Sequence, residues 1–116
     1  MGSDGWNSFT DQPITQAKEP RILVWHVFQG VLVSTVNAAQ SNGFNVRWRD
    51  LPEEWTKTSD RLPDREDADF FNCVIARHWS GSISIKGYHS VTERETDAWA
   101  KVPDPPRDYK ELILNG

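Results

Sequence analysis

Short runs of β-branched and aromatic residues, separated by glycine-containing turns, set the pattern of the first half of this chain. Residues 21–28 predict a strand, residues 29–30 a turn, and residues 31–37 the partner strand of a hairpin. A turn signal at residues 41–43 precedes residues 44–48, whose alternation predicts a third strand. The first half therefore predicts a three-stranded meander.

The second half of the chain carries the same pattern. Residues 70–79 predict a strand, and residues 82–86 alternate strictly, so we expect Ile83 and Ile85 to face a core. Residues 91–99 match the third strand by position, but the polar start of this segment favours a loop or a helical turn.

An internal repeat relates the two halves. At a constant offset of 51 residues, apolar positions of 22–52 fall on apolar positions of 73–103. The identical pairs are Gly30 and Gly81, Trp48 and Trp99, and Pro52 and Pro103. A tryptophan and an aspartate also stand five residues apart in both halves. These are Trp6 and Asp11, and Trp55 and Asp60.

This repeat predicts the fold class and the domain organisation. We expect a mainly β protein, or a β-rich α+β fold, in which two tandem three-stranded antiparallel units, 6–54 and 55–106, pack as one pseudo-twofold domain. Residues 107–116 should form a short C-terminal helix or tail, with Pro106 near its start. Residues 1–5 are small and polar, and we expect them to be disordered or a tag.

The second strand of the first unit differs from its counterpart. The offset of 51 sets Val31 and Val33 against Ser82 and Ser84, which predicts a strand that is apolar on both faces. Such a strand must be covered twice, by the other unit, by the chain's own tail or by a partner chain. A homodimer through the strand at 31–36 is one arrangement that would cover it.

Composition narrows the class of function. The 116 residues carry a net charge of -4, whereas domains that neutralise phosphates usually carry a basic excess, so we expect no direct nucleic-acid binding. The apolar runs are too short to span a membrane, which predicts a soluble protein. Cys73 has no second cysteine for an internal disulfide, and no secretory signal is evident, which favours the cytoplasm.

Two motifs frame the second half. Asp60-Arg61-Leu62-Pro63 follows Trp55, and Trp99 precedes Val102-Pro103-Asp104-Pro105-Pro106. Residues 55–106 resemble the domain of unknown function 551, a small family met chiefly in tailed phages and prophages, although valine stands where leucine is usual. The first half matches this pattern only at Trp6, Asp11, Pro13, Trp48, Leu51 and Pro52. The resemblance implies an accessory phage protein, in the cytoplasm of a bacterial host, that binds and inhibits a host factor.

The six tryptophans are the main compositional clue. Four recur in the repeat frame, and we expect them to pack within the scaffold: Trp6, Trp48, Trp55 and Trp99. Trp25 and Trp79 break the pairing, so we expect exposed rings there that offer flat contact area to a ligand.

Histidine and cysteine do not predict a catalytic or metal site. His26, His78, His89 and Cys73 lack the close spacing of metal ligands, and we expect neither metal nor cofactor. Cys73 and His78 are five apart in a strand and would point to opposite faces, which excludes a dyad. A small hydrolase that uses His78 or His89 beside a carboxylate is a third hypothesis, although no catalytic motif supports it.

Acidic residues gather between the two units and either form a solvated linker or meet a basic partner, for example as a DNA mimic. They are Glu53, Glu54, Asp60, Asp64, Glu66, Asp67 and Asp69. We therefore predict a non-enzymatic module that binds a host or phage protein, with small-ligand or carbohydrate binding through exposed tryptophans as the alternative. The candidate binding residues are Trp25, Trp79, Val31, Val33, Asp64, Glu66 and Asp67.

Overall fold

The computed structural model describes residues 5–10, 12–41 and 43–115. Three predictions fall partly or wholly outside these ranges. They concern the state of residues 1–5, the aspartate Asp11 that follows Trp6, and Asn42 of the predicted turn.

Within the described residues, seven strands form two antiparallel sheets, which confirms a mainly β, β-rich α+β fold. The strands are β1 (Arg21–His26), β2 (Gly30–Thr35), β3 (Asn45–Asp50), β4 (Thr56–Lys57), β5 (Cys73–His78), β6 (Ile83–Gly87) and β7 (Thr96–Lys101). The two short α-helices are α1 (Val36–Ser41) and α2 (Tyr109–Asn115). Short 3-10 helices lie at Ile14–Gln16, Arg65–Asp67 and Tyr88–Ser90.

The first compact unit comprises Met1–Leu51 and Asp104–Gly116. Its sheet has the order β2-β1-β3, and the alternation of β1 turns Ile22 and Val24 onto one face, against Trp48 of β3. Asn7 exchanges two main-chain hydrogen bonds with Trp48, so the opening segment of this unit lies along the outer edge of β3.

The second compact unit comprises Pro52–Pro103. Its sheet has the order β4-β7-β5-β6, and Val74 and Ala76 of β5 pack with Trp99 of β7 and with Val91. Here the opening segment is the short strand β4, which pairs with β7.

Both units have the same topology. In each, the third strand pairs with the first strand on one side and with the opening segment on the other, and the second strand is an edge. The pairing of first and third strands is interrupted at the same place, between Trp25 and His26 and between Arg77 and His78. The internal repeat predicted from the sequence is therefore present in the structure.

The register of the hairpins differs from the predicted alignment by one residue. Val31 pairs with Trp25, directly before the irregularity in β1, and Ile83 pairs with Arg77, directly before the irregularity in β5. Val31 and Ile83 are thus equivalent, and the hairpins are offset by 52 residues rather than 51.

The predicted match of Val31 and Val33 with Ser82 and Ser84 is therefore wrong, although β2 is apolar on both faces as predicted, because Leu32 packs on the cluster around Trp48. The equivalents of Val31 and Val33 are the two isoleucines of β6, not Ser82 and Ser84. A slip of one residue moves every side chain of a strand to the other face, so the gapless alignment compared opposite faces. Both hairpins carry apolar side chains on the face opposite the clusters formed around Trp48 and Trp99.

The second strand of the first unit is shorter than predicted. β2 ends at Thr35, and α1 occupies residues that were predicted to continue the strand and form a turn. The Thr35 hydroxyl accepts the main-chain N–H of Ala38 at 3.1 Å, which is the hydrogen bond of a helix N-cap. The strand at 31–36 that was proposed for a homodimer therefore ends one residue early, because Val36 belongs to α1.

The polar segment before the third strand of the second unit forms a turn, as predicted, and β7 begins only at Thr96. The predicted C-terminal helix is also present as α2, and its first turn contacts the sheet of the first unit. The rings of Tyr109 and Trp25 meet edge-on with centroids 6.2 Å apart, and Arg47 forms an ion pair with Asp108 at 2.9 Å. The chain's own tail therefore covers part of the second face of this sheet.

None of the helices among the described residues has the length and apolar character needed to cross a membrane.

Candidate protein-binding surface

The four tryptophans of the repeat frame belong to the scaffold. Each donates its indole N–H to a main-chain carbonyl, at distances between 2.7 and 3.0 Å. The pairs are Trp6 with Asp104, Trp48 with Gln12, Trp55 with Pro52, and Trp99 with Arg61. Buried indole groups need such partners, so these side chains fix the path of the opening and closing segments.

The two unpaired tryptophans differ in exposure. Trp79 is 61% exposed at the tip of the β5–β6 hairpin, and its indole N–H donates to the Glu93 carbonyl at 2.8 Å. Trp25 is only 8% exposed, so the prediction of an exposed ring there is wrong. The alternation of β1 turns Trp25 onto the second face of the sheet, where Tyr109 covers it. Val31 and Val33 are half-buried.

The predicted acidic candidates have different roles. Asp67 is buried, and its carboxylate accepts two hydrogen bonds from the Arg61 guanidinium and one from the main-chain N–H of Asp64. These contacts, the Arg61 hydrogen bonds first, lower the pKa of Asp67 to about 2. Asp64 caps the 3-10 helix by accepting the N–H of Glu66, and both remain exposed. The expectation of a simple solvated linker is therefore wrong for Asp67.

Arg61 explains the motif Asp60-Arg61-Leu62-Pro63 in structural terms. Its guanidinium lies 4.9 Å from the centre of the Trp99 ring and pairs with Asp67 at 2.7 Å, while its carbonyl accepts the Trp99 indole N–H. The motif thus connects the opening segment of the second unit to its closing tryptophan. Nothing in these contacts requires a ligand.

A tight loop at residues 69–72, the Phe70–Phe71 loop, was not recognised from the sequence. The Asp69 carboxylate accepts the main-chain N–H groups of Phe71 and Cys73, both at 2.9 Å. The Asp69 N–H donates to the Cys73 carbonyl, and the Asn72 N–H donates to the Asp69 carbonyl. Asn72 adopts a positive φ of 62°, which asparagine tolerates better than most residues. Four hydrogen bonds therefore define the conformation of this loop.

The Phe70–Phe71 loop directs two aromatic rings into solvent. Phe70 is 93% exposed and Phe71 is 69% exposed, and the rings meet edge-on with centroids 5.4 Å apart. Apolar side chains exposed to this degree, next to each other and on an ordered loop, are typical of interaction sites. The sequence prediction assigned Phe70 and Phe71 to the start of a strand, because aromatic residues favour strands. The flanking Asp69 and Asn72, both turn formers, were the signal that could have identified the loop.

The Phe70–Phe71 loop is also the place where the two units diverge in length. The 3-10 helices of both units end at alanines 51 residues apart, Ala17 and Ala68, whereas β1 and β5 begin 52 residues apart. The second unit therefore has one additional residue in this loop. Its counterpart, residues 18–20, reads Lys-Glu-Pro and carries no aromatic side chain.

The segment that leads into this loop is exposed and mainly acidic. We call residues 62–71 the acidic–aromatic segment. It contains the exposed Leu62, Asp64 and Glu66 in addition to the two phenylalanines, and its one exposed cation is Arg65. Two of the predicted binding residues, Asp64 and Glu66, thus lie in the same short segment as the most exposed aromatic rings.

A second exposed aromatic pair lies in the first unit. Phe28 is 68% exposed and Phe44 is 48% exposed, with ring centroids 5.0 Å apart. Both rings adjoin the buried His26, whose Nδ1 accepts the main-chain N–H groups of Phe28 and Gln29. In the sequence, no Asp or Glu stands within five residues of Phe28 or Phe44, in contrast to Phe70 and Phe71.

A cleft of about 350 Å³ opens in the first unit beside α1. Phe9 and Ile14 form apolar walls, and Gln40 and Asn45 contribute amide groups. The Asn45 amide N–H donates to the Ala39 carbonyl at 3.3 Å, while its Oδ1 is buried with no hydrogen-bond partner. This cleft offers a small ligand more enclosure than Trp79 alone does.

His78 makes local contacts at the tip of a hairpin. In the part of the chain that the structure describes, no cluster of three or more His, Cys, Asp or Glu side chains is placed to hold a metal ion. Nδ1 of His78 lies 2.8 Å from the Ser80 hydroxyl and also accepts the Ser80 main-chain N–H, at the exposed tip of the hairpin. These contacts stabilise the turn between β5 and β6.

Neither a family model, nor a curated protein, nor a solved structure matches this chain. The resemblance of residues 55–106 to the domain of unknown function 551 consequently has no support beyond the motif residues themselves.

Proposed function

We propose that this protein is a non-enzymatic protein-binding module that contacts its partner through Phe70 and Phe71. The observation that carries the proposal is the exposure of two adjacent aromatic rings on a loop that four hydrogen bonds hold in place. Burial of each ring in a partner would gain roughly 2 kcal/mol. Because the loop is ordered beforehand, little of that gain is lost to ordering it on binding.

The position of this loop within the repeat supports the same proposal. The two units share their topology and their indole hydrogen bonds, and those shared features account for stability. The additional residue and both phenylalanines are found only in the second unit. The narrower role of a phage-encoded protein that inhibits a host factor comes from the resemblance alone and stays a prediction.

The test is affinity capture with immobilised protein from a lysate of the organism the sequence comes from. We expect wild-type protein to retain a stoichiometric partner and F70A/F71A to lose it. F28A/F44A removes the other exposed aromatic pair and should keep the partner. Phe70 and Phe71 are the more exposed rings, so F70A/F71A should unfold at the wild-type urea midpoint, whereas F28A/F44A also loses the contact between Phe44 and the buried His26 and should unfold cooperatively at a somewhat lower midpoint. Capture by F70A/F71A at the wild-type level, or no stoichiometric partner with wild type, would overturn the proposal.

Small-ligand binding is the second candidate, and the cleft beside α1 favours it over the tryptophans. Trp48 packs with Ile14 and Ala39, which line this cleft, so its fluorescence should report occupancy. Titration with a panel of glycans and nucleotides should then give a saturable change that Gln40→Ala or Asn45→Ala weakens. A flat titration with every member of the panel would exclude this candidate.

A further inference from the structure

The charges around the Phe70–Phe71 loop indicate the chemistry of the partner. Asp64 and Glu66 are exposed and outnumber the exposed cation Arg65 in the acidic–aromatic segment. Arg61, the nearest preceding cation, is engaged by Asp67 and stacks on Trp99. Its charge is therefore already balanced, and the exposed side chains that precede the two apolar rings in the chain carry a net negative charge.

We infer that the partner presents an apolar surface bordered by lysine or arginine side chains, an inference that rests on the protein-binding function proposed above. Complementary charges at the border of an interface accelerate association, whereas buried aromatic anchors slow dissociation. Phe70 and Phe71 would supply the anchor. Asp64 and Glu66 would orient the approach and exclude partners with an acidic border.

A DNA mimic is the competing interpretation of the same charges. A mimic must present a regular array of carboxylates to a nucleic-acid-binding surface. Here Asp67 is buried and paired, and the Asp69 carboxylate is occupied by two main-chain N–H groups. Too few free carboxylates remain for such an array, and two exposed phenylalanines have no place in it. The segment therefore fits an apolar protein surface with a basic border better than it fits the nucleic-acid-binding surface that a DNA mimic would occupy.

The inference can be tested with synthetic probes before any natural partner is known. The first probe is an amphipathic 18-residue helical peptide with leucines on one face and lysines on the other. The second replaces every lysine by glutamate, and the third keeps the lysines but replaces every leucine by serine. Binding is followed by amide chemical shifts of the 116-residue protein at about 50 mM salt, where surface charges are weakly screened.

We expect the leucine–lysine peptide to shift the amides of residues 64–72 and to bind at least tenfold more tightly than both other peptides. The variant D64N/E66Q keeps the shape of both side chains and the cap of the 3-10 helix. It should weaken that binding about fivefold at low salt, since each exposed ion pair contributes about 0.5 kcal/mol. At about 500 mM salt, wild type and this variant should bind alike.

The outcomes separate the inference from the proposed function. Equal binding of the leucine–lysine and leucine–glutamate peptides would overturn the basic border but leave the aromatic anchor in place. Binding of the leucine–lysine peptide that F70A/F71A leaves unchanged would count against the anchor itself. Failure of every peptide to bind, or shifts confined to residues outside 64–72, would also overturn the inference. F28A/F44A should behave as wild type throughout.

Discussion

Trp99 donates its indole N–H to the main-chain carbonyl of Arg61 at 2.9 Å, and the Arg61 guanidinium lies 4.9 Å from the centre of the same ring. The first unit has the equivalent hydrogen bond, from Trp48 to Gln12 at 2.8 Å, but no cation at that position. Arg61 also forms the ion pair with the buried Asp67. Arg61 thus joins the opening segment of the second unit to the 3-10 helix that contains Asp67 and to Trp99 of β7.

Replacement of Arg61 by alanine should lower the free energy of unfolding. The variant leaves the Asp67 carboxylate without its cation and the Trp99 ring without its stacking partner, while the main-chain hydrogen bond stays. Urea unfolding followed by tryptophan fluorescence measures the change. Gln12→Ala is the matched control, because it keeps the carbonyl that accepts the Trp48 indole N–H, and it should cost less than about 0.5 kcal/mol. Equal effects of the two variants would contradict this account.

Stability should decrease at low pH because of Asp67. Its pKa is about 2 in the folded protein, below the ordinary value of 3.8. A carboxyl whose pKa is lower in the folded state stabilises the protein fully above its ordinary pKa. That contribution is lost as the pH falls from about 4 to about 2. Urea midpoints measured across this range should therefore decline more steeply for wild type than for D67N.

The ion pair offers an internal check on this pH dependence. R61A removes the main cause of the lowered pKa, so R61A and D67N should each flatten the decline between pH 4 and 2. The double variant R61A/D67N should flatten it no further than either single variant does, because both act on one interaction. An additive effect would show that other carboxylates produce the decline.

The register of β6 predicts how a single lysine substitution at Ile83 or at Ser84 changes the stability of the protein. Ile83 pairs with Arg77 and is half-buried, whereas Ser84 pairs with Ala76 and is exposed. Ile83→Lys should therefore destabilise the protein by about 1–2 kcal/mol through the loss of buried apolar area. Ser84→Lys should change stability by less than about 0.5 kcal/mol. Thermal unfolding of both variants distinguishes the two registers, since the offset of 51 places Ser84 at the position of Val33.

The strand order of each unit could be predicted from the sequence, but the alignment of the second hairpin on the first was wrong by one residue. Turn and strand signals located β1, β2, β3, β5 and β6, because alternation and glycine turns are local properties, whereas β7 was located only by its position in the repeat. The additional residue in the Phe70–Phe71 loop shifted the later hairpin by one position, which no local signal marks. The same loop concealed the candidate site, since Phe70 and Phe71 fit a strand pattern as well as an exposed loop. Burial of Trp25 depends on Tyr109, far away in the sequence.

Cys73 should react slowly with thiol reagents. Burial, and then the negative charge of Asp69, raise the pKa of its thiol above 9.0, so little thiolate forms near neutral pH. The rate of alkylation by iodoacetamide, measured against pH, should rise with a midpoint above 9. D69N removes the neighbouring charge and should shift this midpoint downwards. A midpoint that D69N leaves unchanged would contradict the contribution of the Asp69 charge.

Order in the Phe70–Phe71 loop should depend on the Asp69 carboxylate. Asp69→Ala removes the acceptor of two main-chain N–H groups, and hydrogen bonds to charged groups contribute about 1.5–3 kcal/mol each. Hydrogen exchange of the Phe71 and Cys73 amides should accelerate at least tenfold, whereas amides in the centre of β5 should keep wild-type protection. Asp69→Asn retains one acceptor oxygen and should give an intermediate rate of exchange.

If the loop binds as a preorganised anchor, D69A should also weaken binding of the leucine–lysine peptide, although both phenylalanines are still present. Faster exchange with unchanged affinity would show that the rings bind equally well from a disordered loop.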